Sequence, residues 1–419
     1  MADQAEDHQG VVVLHTNGGP MRPFQIIDDK RDCFGVYTNG NFIYDVSNLP
    51  FDGGVTWNWS DHLSGGSYYY GYILSGGKTI SEACPEHLKE RLTLRQRKIK
   101  SFINSFIQAR IHIDDSCLFD LIPAQHLKHY LEIKNQICEH VYTNSKAPKN
   151  YSLLHDIYEM INDISTQPIK LDWELLERLA LKDMKAKSLL SRFKGTRPTI
   201  KYNLFGTVTG RLSIHEGSFP ILNVKTENRG ILTPCNDAFL ELDYNAEQIR
   251  TLLSLSKKEQ PNEDIHEWNR KNVYRGFGTR AEAKRRFFAW LYDDNSDDYL
   301  TERFYDRVSV LDKHYKDGVV STPFGREIEC DKFHALNYLI QSTASDNCLS
   351  QVSKIHRFLK NRKTRVAYVI HDSVVLDVAK EETNLIPQIK EIFEDTQLGK
   401  FPVNMKLGKN YGNLKEFTW

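Results

Sequence analysis

The sequence predicts a mixed α+β protein with core enough for two or three domains, on three observations. Short β-branched and aromatic runs fill roughly the first 80 of its 419 residues. From about Cys84 to Lys194, apolar residues recur at three- and four-residue spacing, the period of a helix with one buried face. From Thr199 onward, strand-like and helix-like stretches alternate.

The elements follow in order. Asn39-Gly40 lies between the apolar runs of FGVYTNGNFIYDV, the pattern of a two-residue hairpin. No motif in that region attaches to chemistry. Residues 90–108, 124–142 and 172–193 read as helical, with connectors at 146–152 and 165–168. Residues 238–243 (AFLELD) read as a strand and 246–256 as the helix after it. Thr279 with Glu282 three residues later forms a capping box, so a helix starts there and runs uninterrupted to Tyr292. Residues 365–378 (RVAYVIHDSVVLDV) read as a hairpin bending at His371-Asp372-Ser373. A helix near 380–395 and a strand near 401–407 complete the chain.

Composition excludes several classes. Forty per cent apolar and 26% charged residues suit a soluble globular protein, and no apolar run reaches the ~18–20 residues of a membrane helix. The polar, acidic start MADQAEDHQG is neither a secretory signal nor a transit peptide. Seven scattered cysteines without a CxxC pair argue against a zinc site or disulfide framework and suit a reducing compartment. The 55 basic and 55 acidic residues cancel, yet they are segregated. Residues 89–100 carry six Lys/Arg, 182–201 carry seven against Asp183 alone, and 293–298 carry four Asp. Such local basic strips can hold a phosphate backbone in a neutral protein.

Two features carry chemistry. Within residues 279–292, Arg280, Lys284, Phe288 and Tyr292 recur at every fourth position, so two cations and two aromatics share a helix face. Charge for phosphates and rings for a base suit a nucleotide. Asp243 ends a strand and Asp372 stands at a hairpin bend, 129 residues apart. If the fold brings them together, their oxygens suit paired Mg²⁺ ions for an in-line phosphoryl transfer.

Taken in order, TVTGRLS (207–213), DYNAEQIR (243–250), RAEAKRRFFAWLY (280–292), QSTASD (341–346) and VIHDSVVLDV (369–378) resemble the polymerase region of family A, DNA polymerase I-type enzymes. The closing FPVNMKLGKNYG is similar to that family's last palm strand. The resemblance covers residues 171–419. It implies a right-hand polymerase with a palm built on an antiparallel sheet, fingers and a thumb. The corresponding division is a β-rich or mixed region of unattached role at 1–84, helices at 85–170 and a thumb-like basic strip at 171–205. Palm would span 206–265 and 320–419, with trimmed fingers at 266–319.

What the resemblance implies for single residues is specific. Asp243, Asp372 and the Tyr244 carbonyl would hold two Mg²⁺ ions, with Mn²⁺ able to substitute. Arg280 and Lys284 would grip the dNTP triphosphate, Lys284 also protonating the leaving pyrophosphate. Phe288 would stack on the nucleotide, Tyr292 would stand by the templating base, and Gln248 would lie beneath the sugar. His371 would touch the primer end, and Arg211, Asn337 and Gln341 the minor-groove side. Lys187 and Lys194 would contact the duplex backbone, in a salt-sensitive way. Primer–template DNA and dNTPs are the implied partners. A separate exonuclease, helicase or processivity factor would complete a phage-like replication enzyme in the host cytoplasm.

Four departures stand out. Gln248 replaces the family's Glu, so exclusion of a ribose should weaken rather than vanish. Ser373 follows Asp372 where DNA polymerases carry an acid. His-Asp-Ser is instead a feature of phage-type single-subunit RNA polymerases, the alternative reading; a silent nucleic-acid-binding accessory is the third. Asp293 replaces a glycine after Tyr292 and the following stretch is short. Asp28-Asp29 and Asp114-Asp115 are wrongly spaced for metal-dependent editing, so no proofreading is expected in this chain.

Overall fold

A computed structural model describes residues 23–29, 32–45, 54–57, 68–111, 116–293 and 296–419. Asp114 and Asp115 lie outside them. The chain divides into two compact units, Met1–Tyr151 and Ser152–Trp419.

In the first unit, strands β1 (Gln25–Asp29), β2 (Asp32–Thr38) and β3 (Asn41–Ile43) form an antiparallel sheet. The β2–β3 turn is the Asn39-Gly40 hairpin, with φ of 47° and 78° at its two central residues. Only small, turn-forming residues take two such left-handed positions cheaply, which is why that dipeptide marks the bend. Two long helices follow, α1 (Glu86–Gln108) and α2 (Ala124–Asn144). They pack on each other through Leu88, Leu92, Ile133 and Ile137. The outer face of α1 stays in solvent, and Arg91, Arg97, Lys98 and Lys100 are all exposed there.

The second unit opens with α3 (Tyr151–Thr166), which begins and ends inside the two expected connectors. Its buried Leu154, Ile157, Met160, Ile161 and Ile164 give it the amphipathic pattern of a packed helix. The basic stretch expected as one helix is two, α4 (Trp173–Ala180) and α5 (Met184–Phe193). Asp183 breaks the run because its carboxylate accepts from the Lys185 and Ala186 amides, and so caps a new helix.

The centre of this unit is a five-stranded sheet. Its strands are β4 (Ala238–Tyr244), β5 (Arg365–Ile370), β6 (Ser373–Val378), β7 (Val403–Gly408) and β8 (Lys415–Glu416), in the order β5-β6-β4-β7-β8. All its neighbouring strands are antiparallel. Beside the sheet stand α6 (Glu247–Leu255), α7 (Ile265–Asn272), α8 (Arg280–Tyr292) and the 27-residue α9 (Lys332–Phe358). A core of Leu252, Ile265, Phe287, Trp290, Tyr305 and Leu339 joins these helices. After the sheet's hairpin, the expected helix is a 3-10 turn, Lys380–Leu385, running into α10 (Ile386–Glu394). Among the described residues, no helix is long and apolar enough to cross a membrane.

Candidate active site

β4 and β6 set the position of both aspartates. Asp243 pairs directly with Ser373 across the ladder, and Asp372 immediately precedes that serine. The 129-residue gap in sequence thus closes to adjacent strands at one end of the sheet. Both turns beside the aspartates are strained. Ala246, at the entry to α6, and His371, in the two-residue bend, are non-glycine residues with φ of 56° and 55°. Each such left-handed residue costs roughly 1–2 kcal/mol, which the surrounding sheet must hold in place.

Charge is concentrated here. Burial, and then the neighbouring charge of Asp372, push the Asp243 carboxyl up to about 7. Glu247, in the first turn of α6, is buried as well. Burial and Asp372 hold it well above the usual carboxylate range, while Asn347 Nδ2, at 3.5 Å, and the Arg211 charge pull it back. Two carboxyls raised this way beside a third mark a place short of positive charge. The oxygens of Asp243 and Asp372 and the backbone carbonyl of Tyr244 are hard donors, a set that suits Mg²⁺. The Tyr244 ring is fixed beneath, its hydroxyl donating to the Phe393 carbonyl at 2.5 Å and its face stacked on Phe393.

The cation–aromatic face is α8. Its capping box is present: the Thr279 hydroxyl accepts from the Glu282 amide, and the Glu282 carboxylate accepts from the Thr279 amide. Phe288 and Tyr292 stack, with ring centroids 5.9 Å apart and planes 11° from parallel. Lys284 is exposed. Tyr292 donates to Gln248 Oε1 at 2.7 Å, joining α8 to α6. Gln248 therefore stands against this face, two residues before Arg250, the last residue of the DYNAEQIR segment. Arg250 is fully buried and donates to the carbonyls of Asn245, Pro261 and Glu263 at 2.7–3.1 Å. The glycine missing after Tyr292 is not needed, because Asp293 is extended, with φ −121° and ψ 105°.

The remaining expected residues fall on two sides. Arg211 and His371 line one small cavity with Ser345, Leu349 and Val369. Gly210 shapes the loop carrying Arg211. It has φ +75°, and a Cβ there would lie 2.4 Å from the Arg326 guanidinium. Arg326 in turn makes a bidentate pair with Asp346, at 2.7 and 2.9 Å, and Asp346 is fully buried. Gln341 donates to Asn337 one turn earlier on α9. Lys187 and Lys194 are exposed on the α4–α5 pair, Lys194 bridging to Glu177 at 2.7 Å. Arg280 is bound to Asp264. Ser373 is buried, its hydroxyl donating to the Ile370 carbonyl at 2.9 Å, so it closes the hairpin.

Sequence reading missed Asp264 and His266, and gave Glu247 no place beside the aspartates. His266 is buried beside Phe288, its ring centroid 6.1 Å away, and burial lowers its imidazole to about 4 despite the Asp264 charge. The available signal was Asp264 followed at three residues by Glu267, an N-cap pattern that puts His266 in the first turn of α7. The His155, Asp156 and Glu159 side chains on α3 lie close enough together to hold a metal ion, and none of them belongs to this site. Asp156 there is paired with Arg357 at 3.2 Å.

A solved structure titled as the POL domain of Pol1 from M. smegmatis, in complex with DNA primer-template and dNTP, superposes with a TM-score of 0.63. The match covers 94% of this chain and 96% of that one, at 12% identity. The chain has the fold of a DNA polymerase I polymerase domain. A match covering 94% of the chain reaches upstream of residue 171. A DNA polymerase of Bacillus phage SP01 is 33% identical over 97 residues, 20% of this chain. The chain spans about a tenth of that protein's length. No family model matches the sequence.

Proposed function

We propose that this chain is a template-directed DNA polymerase, extending a primer 3′ end with dNTPs and releasing pyrophosphate. One observation carries this reading. Asp243 and Asp372 meet at one end of the sheet, and the Gln248–Tyr292 hydrogen bond ties that end to the cation–aromatic face of α8. A polymerase needs little more than this, since base pairing selects the nucleotide and the protein supplies charge and a shaped pocket.

Asp243, Asp372 and the Tyr244 carbonyl would hold two Mg²⁺ ions, with Mn²⁺ able to substitute. When bound, such ions neutralise the charge on the attacking and leaving oxygens of the transfer. The other roles belong to the chain itself. Arg280 and Lys284 bind the triphosphate, and Lys284 holds the proton that the departing pyrophosphate takes. Phe288 stacks on the incoming base, Tyr292 stands by the templating base, and Gln248, hydrogen-bonded to Tyr292, closes the sugar side of the pocket. His371 meets the primer terminus, and Arg211, which shares a cavity with it, lines the minor-groove side with Asn337 and Gln341. Lys187 and Lys194 hold the duplex backbone.

Primer extension on a DNA template, with dNTPs and NTPs in parallel, tests the reading. Preferential extension with dNTPs is expected. Preferential use of NTPs would favour the RNA-polymerase reading that His371-Asp372-Ser373 raises. Binding of primer–template without extension would leave a nucleic-acid-binding accessory.

A further inference from the structure

We propose that Asp264 is a positioning residue for the incoming triphosphate, acting through Arg280; the inference rests on the dNTP-binding role of α8 given above. Arg280 is the first residue of α8. Its Nε donates to Asp264 Oδ1 at 2.9 Å and its Nη2 to Oδ2 at 2.5 Å, a fork-to-fork pair. A guanidinium has five N–H donors in one plane, and this pair uses two of them. Nη1 makes no hydrogen bond among the described residues. The carboxylate therefore grips one edge of the guanidinium and leaves the other edge fixed in direction, with donors to spare.

Asp264 is itself held from two sides. Its Oδ1 also accepts from the Glu267 amide at 2.9 Å and so caps α7. On the other side the buried Arg250 grips the carbonyls of Pro261 and Glu263, fixing the chain that enters Asp264. Arg250, the Asp264 cap and the fork form one line from the end of the aspartate-bearing strand to the start of α8. Lys284, one turn along α8, adds a second cation to the surroundings. Glu267, in the first turn of α7, is taken up by Arg270 at 2.7 Å. Asp264 thus sits in a cluster that favours an anion, where its own charge needs a reason.

That reason is preorganisation. A free arginine side chain gives up its rotamer freedom when it binds phosphate. Held by Asp264, Arg280 has already done so. As a stability device the pair has little value, because the Arg280 side chain is 54% exposed and such pairs add little to folding.

The test is a double-mutant cycle in single-dNTP primer extension, using the wild type, Asp264→Asn, Arg280→Ala and the double variant. Asparagine caps helices as well as aspartate does, so Asp264→Asn keeps α7 and removes the charge; Asp264→Ser provides a second cap-preserving variant. Asp264→Asn should raise the KM for dNTP about three- to tenfold, with the change in KM rather than kcat. In the Arg280→Ala background it should add nothing, since its only route is gone. A KM at or below wild type, or an effect of Asp264→Asn that persists without Arg280, would overturn the proposal. Equilibrium binding of inorganic triphosphate to the full chain separates the two claims. If the wild type extends no primer but Asp264→Asn still weakens triphosphate binding, the polymerase reading fails and the positioning stands. If triphosphate affinity is the same in both, the positioning fails.

Discussion

At the scale of single residues, the pocket is decided by side chains whose neighbours are fixed to within a hydrogen bond. Gln248 meets the Tyr292 hydroxyl at 2.7 Å, where a carboxylate would carry charge as well as bulk. Truncating it opens the sugar side. Gln248→Ala should therefore increase ribonucleotide incorporation relative to dNTP by about tenfold, read from competitive primer extension. An unchanged ratio would move the gate elsewhere. His266 gives a second prediction. Its folded-state pKa is depressed to about 4 from 6.5, first by burial and then by the Lys284 and Arg280 charges. The unfolded chain thus takes up a proton that the folded chain refuses. Stability contributed by neutral His266 is present above pH ~6.5 and is lost as pH falls toward 4, on the order of 2–3 kcal/mol. His266→Gln should flatten denaturation free energies measured between pH 7 and 4.5, and an equally steep slope would contradict the assignment.

At the scale of elements, local signals were legible where they are self-contained. Thr279 and Glu282 satisfy each other within one turn, and Asn39-Gly40 needs only its own backbone, so both were readable from sequence. Thr279→Ala should cost about 1 kcal/mol in chemical denaturation, the worth of a cap. Less legible were interactions that exist only after distant segments meet. Asp264 reaches Arg280 across 16 residues and Glu247 reaches Asn347 across 100, and nothing local announces either. Helix α3 was hidden at its ends, where connector-like residues supply its first and last turns. The Arg326–Asp346 pair belongs to the same class. Removing its cation would leave a fully buried carboxylate unpaired beneath Gly210. Arg326→Ala should destabilise the protein by about 3–5 kcal/mol, measured by denaturant titration. A loss below ~1 kcal/mol would mean that water reaches Asp346.

At the scale of the whole molecule, chain order told more than composition. A net charge of zero says nothing of nucleic acid, yet five motifs in fixed order pointed to a polymerase fold that the structure has. The first unit was opaque because its strands and long helices carry no chemistry-bearing pattern. Its helices were legible, but what they serve was not. The strain at Ala246 and His371 is likewise a property of the assembled sheet, invisible in either segment alone.

The central claim is that Asp243 and Asp372 together hold the cations of nucleotidyl transfer. It is tested most directly by single-turnover incorporation of one dNTP on a primed DNA template, across a Mg²⁺ titration, in the wild type, Asp243→Asn and Asp372→Asn. Either substitution should lower the rate by at least about 10³-fold while primer–template binding persists. Incorporation near the wild-type rate in either variant would contradict it.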